Sequence, residues 1–102
     1  MQPEYARRAQ ADILNIWSHI AIDSEAAADR TLARIRSTCE TVALLPFAGK
    51  KDPALTSLPV RTLAVRTHPY LVVYDSAPRP VRILRVLHTA RDLRHELLSL
   101  HL

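Results

Sequence analysis

Arg61, Arg66, Arg82, Arg85, His88, Arg91 and Arg94 are the side chains of this sequence best suited to chemistry on an anion. Guanidinium forks match the oxygens of phosphate and carboxylate in both geometry and charge. Were the anion an RNA phosphate, cleavage would need a base for the 2′-hydroxyl, an acid for the leaving oxygen and cations for the developing charge. An imidazole is the ordinary side chain for proton transfer near neutrality, and His88 is the one in this set. As a histidine closing a strand, it has an equally ordinary structural use.

The stretch VRILRVLHTARD, residues 81–92, holds the densest part of the set. At period two, Val81, Ile83 and Leu87 share a face that Arg85 interrupts, while Leu84 and Val86 share the other face with Arg82 and His88. Apolar residues on both faces mark a strand covered on both sides, where a guanidinium requires an anion. Two arrangements meet that need: a carboxylate from within the domain, or an open sheet face that receives phosphate or carboxylate from a partner. Residues 46–102 contain only four acids, which favours the open concavity. Adjacent antiparallel strands would bring Arg61 or Arg66 near Arg82 or Arg85, at strand spacings near ~5 Å.

The charge distribution points the same way. Residues 1–45 carry five arginines and six acids, whereas residues 46–102 carry nine Lys or Arg and four acids, so the second half supplies all of the +4 formal charge. That excess suits nucleic acid or an acidic protein segment, and equally a solvated basic face. Aromatic residues make up only 5%, which argues against a surface that stacks bases on rings. The lone Gly49 excludes a glycine-rich phosphate loop. The histidines at 19, 68, 88, 95 and 101 fall at no metal-ligand spacing and one cysteine builds no zinc site, so no metal or other cofactor is expected. Cys39 sits on an apolar stripe without an activating base and reads as a buried, inert thiol.

The elements that must position these groups follow from periodicity. Residues 3–22 are predicted as a helix with Ala6, Ala9, Ile13, Ile16, Trp17 and Ile20 on one stripe. Pro3 and Glu4 suit its first turn, and Arg8 can pair with Asp12 on its outer side. Asp23 or Ser24 caps a second helix reaching about Leu45, with Ala28, Leu32, Ile35, Cys39 and Val42 inward and Pro46 as its stop. Strands are predicted over 60–66, 70–75 and 81–88, paired antiparallel in succession. Thr89 and Asp92 form a capping box for a last helix striped by Leu93, Leu97 and Leu100. The expected fold is α+β over a single domain, 1–102: an antiparallel helical hairpin on a three- to four-stranded antiparallel sheet, with a short C-terminal helix. A single cysteine, no signal-like start and no apolar run of about 18 residues imply a cytoplasmic protein without a membrane span.

Taken in order, ADILNIWSHIA (11–21), AAADRTLARI (26–35), LLPFAG (44–49), LPVRTLAV (58–65), PYLVVYD (69–75) and RILRVLHTARD (82–92) resemble the RelE/ParE superfamily of bacterial type II toxins over about residues 3–95. The resemblance implies a toxin neutralised in a hetero-oligomer by direct binding of a cognate antitoxin. It implies two candidate activities. RelE-like members cut mRNA on the ribosome, which would make Arg61, Arg85 and His88 catalytic. ParE-like members inhibit DNA gyrase without that chemistry. The long helical hairpin, the Val86-Leu87-His88 and Arg91-Asp92 ending and the lack of a tyrosine after Tyr74 resemble the ParE branch more closely. On either branch Arg61, Arg66, Arg82, Arg85, Arg91 and Arg94 are the expected antitoxin- or target-binding residues. The family begins with a strand before its first helix, yet only Met1 and Gln2 precede Pro3 here. The resemblance therefore implies a lost strand or a start further upstream. A lost strand would leave a sheet edge for a partner to cover, and makes an inactive, antitoxin-binding relative a third reading.

Overall fold

The chain forms, in order, β1 (Glu4–Tyr5), α1 (Arg7–Ala21), α2 (Glu25–Leu44), β2 (Val60–Ala64), β3 (Tyr70–Asp75) and β4 (Arg82–His88). The computed structural model describes residues 2–51 and 60–92. Both helices owe their place to their apolar stripes. Ala9 is buried with Ile13 and Ile16 packed beside it, and Ala28, Ile35, Cys39 and Val42 are fully buried from α2. Ser24 caps α2 by accepting from the Ala27 amide at 3.1 Å. Pro46 stops it, and the helix ends at Leu44. Ala6, at the start of α1, offers no side-chain cap, and Arg7 and Arg8 place cations at the positive end of the helix dipole.

The sheet runs β1-β4-β3-β2, and β3 pairs antiparallel with both β2 and β4. The helical hairpin packs on one face, where Val65, Tyr70, Val72, Tyr74, Val81, Ile83 and Val86 meet the helix residues in one core cluster. Val60, Val73, Leu84 and Leu87 form a second, apolar cluster that contains no helix residue. Because Val73 alternates with Val72 and Tyr74 along β3, this cluster occupies the opposite face.

The first strand, expected to be missing, is present. Residues Glu4 and Tyr5, assigned from the sequence to the opening turn of a helix, instead pair parallel with Arg82 and Ile83 of β4. The Glu4 amide donates to the Val81 carbonyl and the Ala6 amide to the Ile83 carbonyl, each at 2.9 Å. The sheet is therefore mixed rather than wholly antiparallel. Two residues are too few to display an alternating pattern, which is why the strand escapes a periodicity reading.

The face assignment on β4 also changes. Val73 lies opposite Arg85 and Tyr74 opposite Ile83, so Leu84 is the extra residue of a β-bulge. The bulge slips the alternation by one. Ile83 and Val86 face the helices, while Leu84 and Leu87 face away. Uninterrupted period two had put Val86 with Leu84, and Leu87 with Ile83. The predicted last helix, with Leu93, Leu97 and Leu100, lies outside the described residues.

Candidate functional site

Arg85 is 7% exposed, and its anion comes from inside the domain. The Asp12 carboxylate accepts from Arg85 Nε at 2.8 Å and from Nη2 at 3.0 Å, a bidentate pairing. Asp12 Oδ2 also accepts from the Val86 amide at 2.9 Å. That third bond has a topological cause. Because β1 stops at Tyr5, it satisfies the outer edge of β4 only as far as Ile83. The next outward amide, Val86, would be orphaned, and α1 supplies a carboxylate in place of a longer strand. The open-concavity expectation fails for this arginine: an acid of the first half, not a partner's, neutralises it.

Arg61 is likewise drawn to the helix side. It shares a face of β2 with Leu63 and Val65, and lies opposite the fully buried Tyr74 on β3. Its Nη1 donates to the Gly49 carbonyl at 2.9 Å, and its guanidinium stacks over the Phe47 ring at 4.9 Å. Tyr74 completes the same knot by donating its hydroxyl to the Pro46 carbonyl at 2.8 Å and accepting the Gly49 amide at 2.9 Å. Burial raises the pKa of that hydroxyl, against the lowering pull of the Gly49 amide and of Arg61. Lys50 then pairs with Thr62 through two backbone bonds of 2.9 and 2.8 Å. The Pro-x-x-Gly segment is thus a loop tied to β2 and β3. One Arg61 atom, Nε, is buried without a hydrogen-bond partner.

His88 ends β4, and its ring organises the turn that follows. Nδ1 lies 3.1 Å from the Ala90 amide and 3.3 Å from the Arg91 amide, so it is the acceptor and the ring proton resides on Nε2. Asp92 returns the interaction, its carboxylate accepting the His88 amide at 3.3 Å. The capping logic expected of Thr89 and Asp92 is therefore shifted one residue, with His88 in the capping position. Thr89 instead donates to the Pro69 carbonyl, through its amide at 2.9 Å and its hydroxyl at 3.3 Å. Tyr70 meets the imidazole edge-on at 5.5 Å, and a cleft of about 320 Å³ beside it is lined by His19, Asn15 and Arg91.

The remaining arginines are exposed. Arg82 lies 3.4 Å from Glu4, Arg91 3.9 Å from Asp92, and Arg66 follows β2 on the surface near Arg34. Arg94 lies outside the described residues. Strand order explains why the set does not converge: β3 separates β2 from β4, which puts their residues about 10 Å apart rather than on adjacent strands. Sequence reasoning missed Asp12. The signal was present, since Asp12 falls three residues after Ala9 and four before Ile16, on the buried stripe rather than the outer side.

Among the described residues no group of three or more His, Cys, Asp or Glu side chains could hold a metal ion. Cys39 is fully buried, and burial raises its thiol to about 11 although a hydrogen bond from Tyr5 pulls it down. Burial, together with the neighbouring Cys39, also pushes the Tyr5 hydroxyl upward. An unfolded thiol ionises near its ordinary value of 9.0, so folding stability falls as pH rises from about 9 through about 11. Denaturant melts across this window should decline more steeply for the wild type than for Cys39→Ala.

A helical hairpin on one face of a mixed four-stranded sheet, with a short parallel strand leading into the first helix, places this chain among the small α+β toxins of the RelE/ParE superfamily. The family described as the ParE toxin of the type II toxin-antitoxin system, parDE, matches residues 4–93, and the chain belongs to it. Among solved structures, a chain of the chromosomal ParDE TA system from P. aeruginosa superposes with a TM-score of 0.71 at 22% identity, over 86% of this chain and 95% of that one. Likeness at this identity concerns the fold. No curated protein matches.

Proposed function

We propose that this chain acts in the cytoplasm as the toxin of a type II module, neutralised by direct binding of a cognate antitoxin, and that its target when free is DNA gyrase. The family supports the first part of this reading. The observation that carries the second is the commitment of Arg85 to Asp12. A ribosome-dependent nuclease would need Arg61, Arg85 and His88 to converge on one phosphate. Arg85 is instead held by α1, Arg61, on the far side of β3, by the Gly49 carbonyl, and the acceptor nitrogen of His88 by a turn. None of the described helices is long and apolar enough to cross a membrane.

On this reading the inhibition is non-enzymatic, and the exposed Arg66, Arg82 and Arg91 meet acidic groups of the antitoxin or target, with Arg94 as a further candidate. Arg61 and Arg85 shape the surface from within. The test is a DNA supercoiling assay with purified gyrase. Adding the folded chain should inhibit supercoiling, and adding the antitoxin encoded beside it should restore activity. Full supercoiling in the presence of excess folded chain would overturn the proposal.

A further inference from the structure

Leu44, Leu45 and Phe47 are 70%, 61% and 68% exposed, three large apolar side chains within four positions at the end of α2. Scattered exposed leucines are ordinary on a soluble domain, but a contiguous cluster on a fixed support marks an interaction surface. The support here is unusually complete. The Leu45 carbonyl accepts from the Ala48 amide at 3.0 Å, and the Tyr74 hydroxyl bonds both the Pro46 carbonyl and the Gly49 amide. Arg61 lies across the Phe47 ring while bonding the Gly49 carbonyl, yet most of Phe47 remains in solvent. Apolar side chains held in place before binding lose little further conformational freedom when a partner arrives.

The surroundings are cationic. Lys50 and Lys51, the only lysines of the chain, are both exposed at the end of this loop, and Arg61 adds a third positive charge against the ring. Apolar anchors rimmed by cations complement an amphipathic segment that presents its own apolar side chains with carboxylates beside them.

We propose that the 44–51 loop is an antitoxin-docking surface: Leu44, Leu45 and Phe47 receive apolar side chains of an acidic amphipathic segment of the cognate antitoxin, and Lys50 and Lys51 meet its carboxylates. The proposal rests on the toxin–antitoxin reading above and deepens it by assigning the docking residues. Neither the arginines of β4 nor the sheet face is needed for it.

The experiment measures affinity by titration calorimetry between the purified full chain and the full-length antitoxin encoded beside it. Two variants are compared with the wild type: Leu44→Ser/Leu45→Ser/Phe47→Ser, and Lys50→Glu/Lys51→Glu. The altered side chains are exposed, so thermal melts should confirm folded protein, and the lysine pair guards against any loss of folding in the serine variant. The serine variant should weaken binding by about 30-fold or more, the loss expected of an anchor cluster. The lysine variant should also weaken it, and its remaining affinity should depend less steeply on salt. Wild-type affinity in both folded variants would overturn the docking assignment and leave the toxin–antitoxin reading standing. Unchanged antitoxin affinity combined with lost gyrase inhibition would overturn it in favour of a target contact. Failure of the wild-type chain itself to bind the antitoxin would overturn the reading on which both rest.

Discussion

Replacing Asp12 with alanine is expected to lower the unfolding free energy by about 3–5 kcal/mol, the range for removing one partner of a buried ion pair. Three bonds end on that carboxylate, two from Arg85 and one from the Val86 amide. The Asp12 and Arg85 side chains are only 16% and 9% exposed, so water replaces little of what is lost. For a domain of about 100 residues each kcal/mol moves the melting temperature by about 4–8 °C, and the variant should melt well over 10 °C below the wild type. A second variant separates charge from geometry. Asp12→Asn with Arg85→Met keeps an acceptor for the Val86 amide and removes both charges, and it should recover most of the loss. Denaturant unfolding measures both. A drop below about 1 kcal/mol for Asp12→Ala would mean that Arg85 finds equal solvation elsewhere, and that the carboxylate does not hold β4 to α1.

The other large effect belongs to Gly49. A Cβ built there would lie 2.6 Å from the Tyr74 hydroxyl and 2.7 Å from the Thr62 carbonyl. The first neighbour is the hydroxyl of a fully buried tyrosine, fixed by a bond it donates and a bond it accepts, and the second is backbone in β2, so neither can yield cheaply. Gly49→Ala should therefore destabilise the fold by about 2–3 kcal/mol through overpacking. Tyr74→Phe should cost about 1–3 kcal/mol by leaving the Gly49 amide and Pro46 carbonyl without their partner. The two changes share a contact and will not add. Removing the hydroxyl relieves the tightest of three clashes and leaves those with Thr62 and with the ring carbon Cε1 at 2.8 Å, so Gly49→Ala should cost somewhat less in the Tyr74→Phe background than alone. Equal costs in both backgrounds would show that the Thr62 carbonyl and the ring itself, not the hydroxyl, set the penalty.

These two sites also mark where the sequence stopped being readable. The helical hairpin, the Ser24 cap, the stop at Pro46 and the antiparallel run of β2, β3 and β4 all follow from periodicity and local chemistry, which are properties of neighbours in the chain. What failed depends on residues far apart. The bulge at Leu84 changes which side chains of β4 face the helices, and it carries no glycine or proline to announce it. The Asp12–Arg85 pair joins positions 73 residues apart, and an i, i+4 partner at Arg8 offered a closer, local explanation for the acid. Arg61 was expected beside the anion of a partner, whereas its guanidinium bonds a backbone carbonyl in the loop, a group no charge count includes. The sequence therefore revealed which residues were unusual more readily than how each is satisfied.

That difference shapes the functional account. Charge clustering suggested an assembled anion site on an open sheet face, whereas the face away from the helices is lined by Val60, Val73, Leu84 and Leu87. The cationic groups that remain exposed are spread around the domain, an arrangement suited to a wrapping protein partner more than to a single reacting phosphate. On the gyrase reading proposed above, Arg61, Arg85 and His88 build the domain without forming a nuclease centre. That reading is tested most directly by mapping mRNA 5′ ends in cells shortly after induction of the chain without its antitoxin. Growth arrest with messages intact is expected, and the same pattern for a folded His88→Ala variant. New ends within translated codons that disappear in His88→Ala would contradict it and make the chain a ribosome-dependent nuclease.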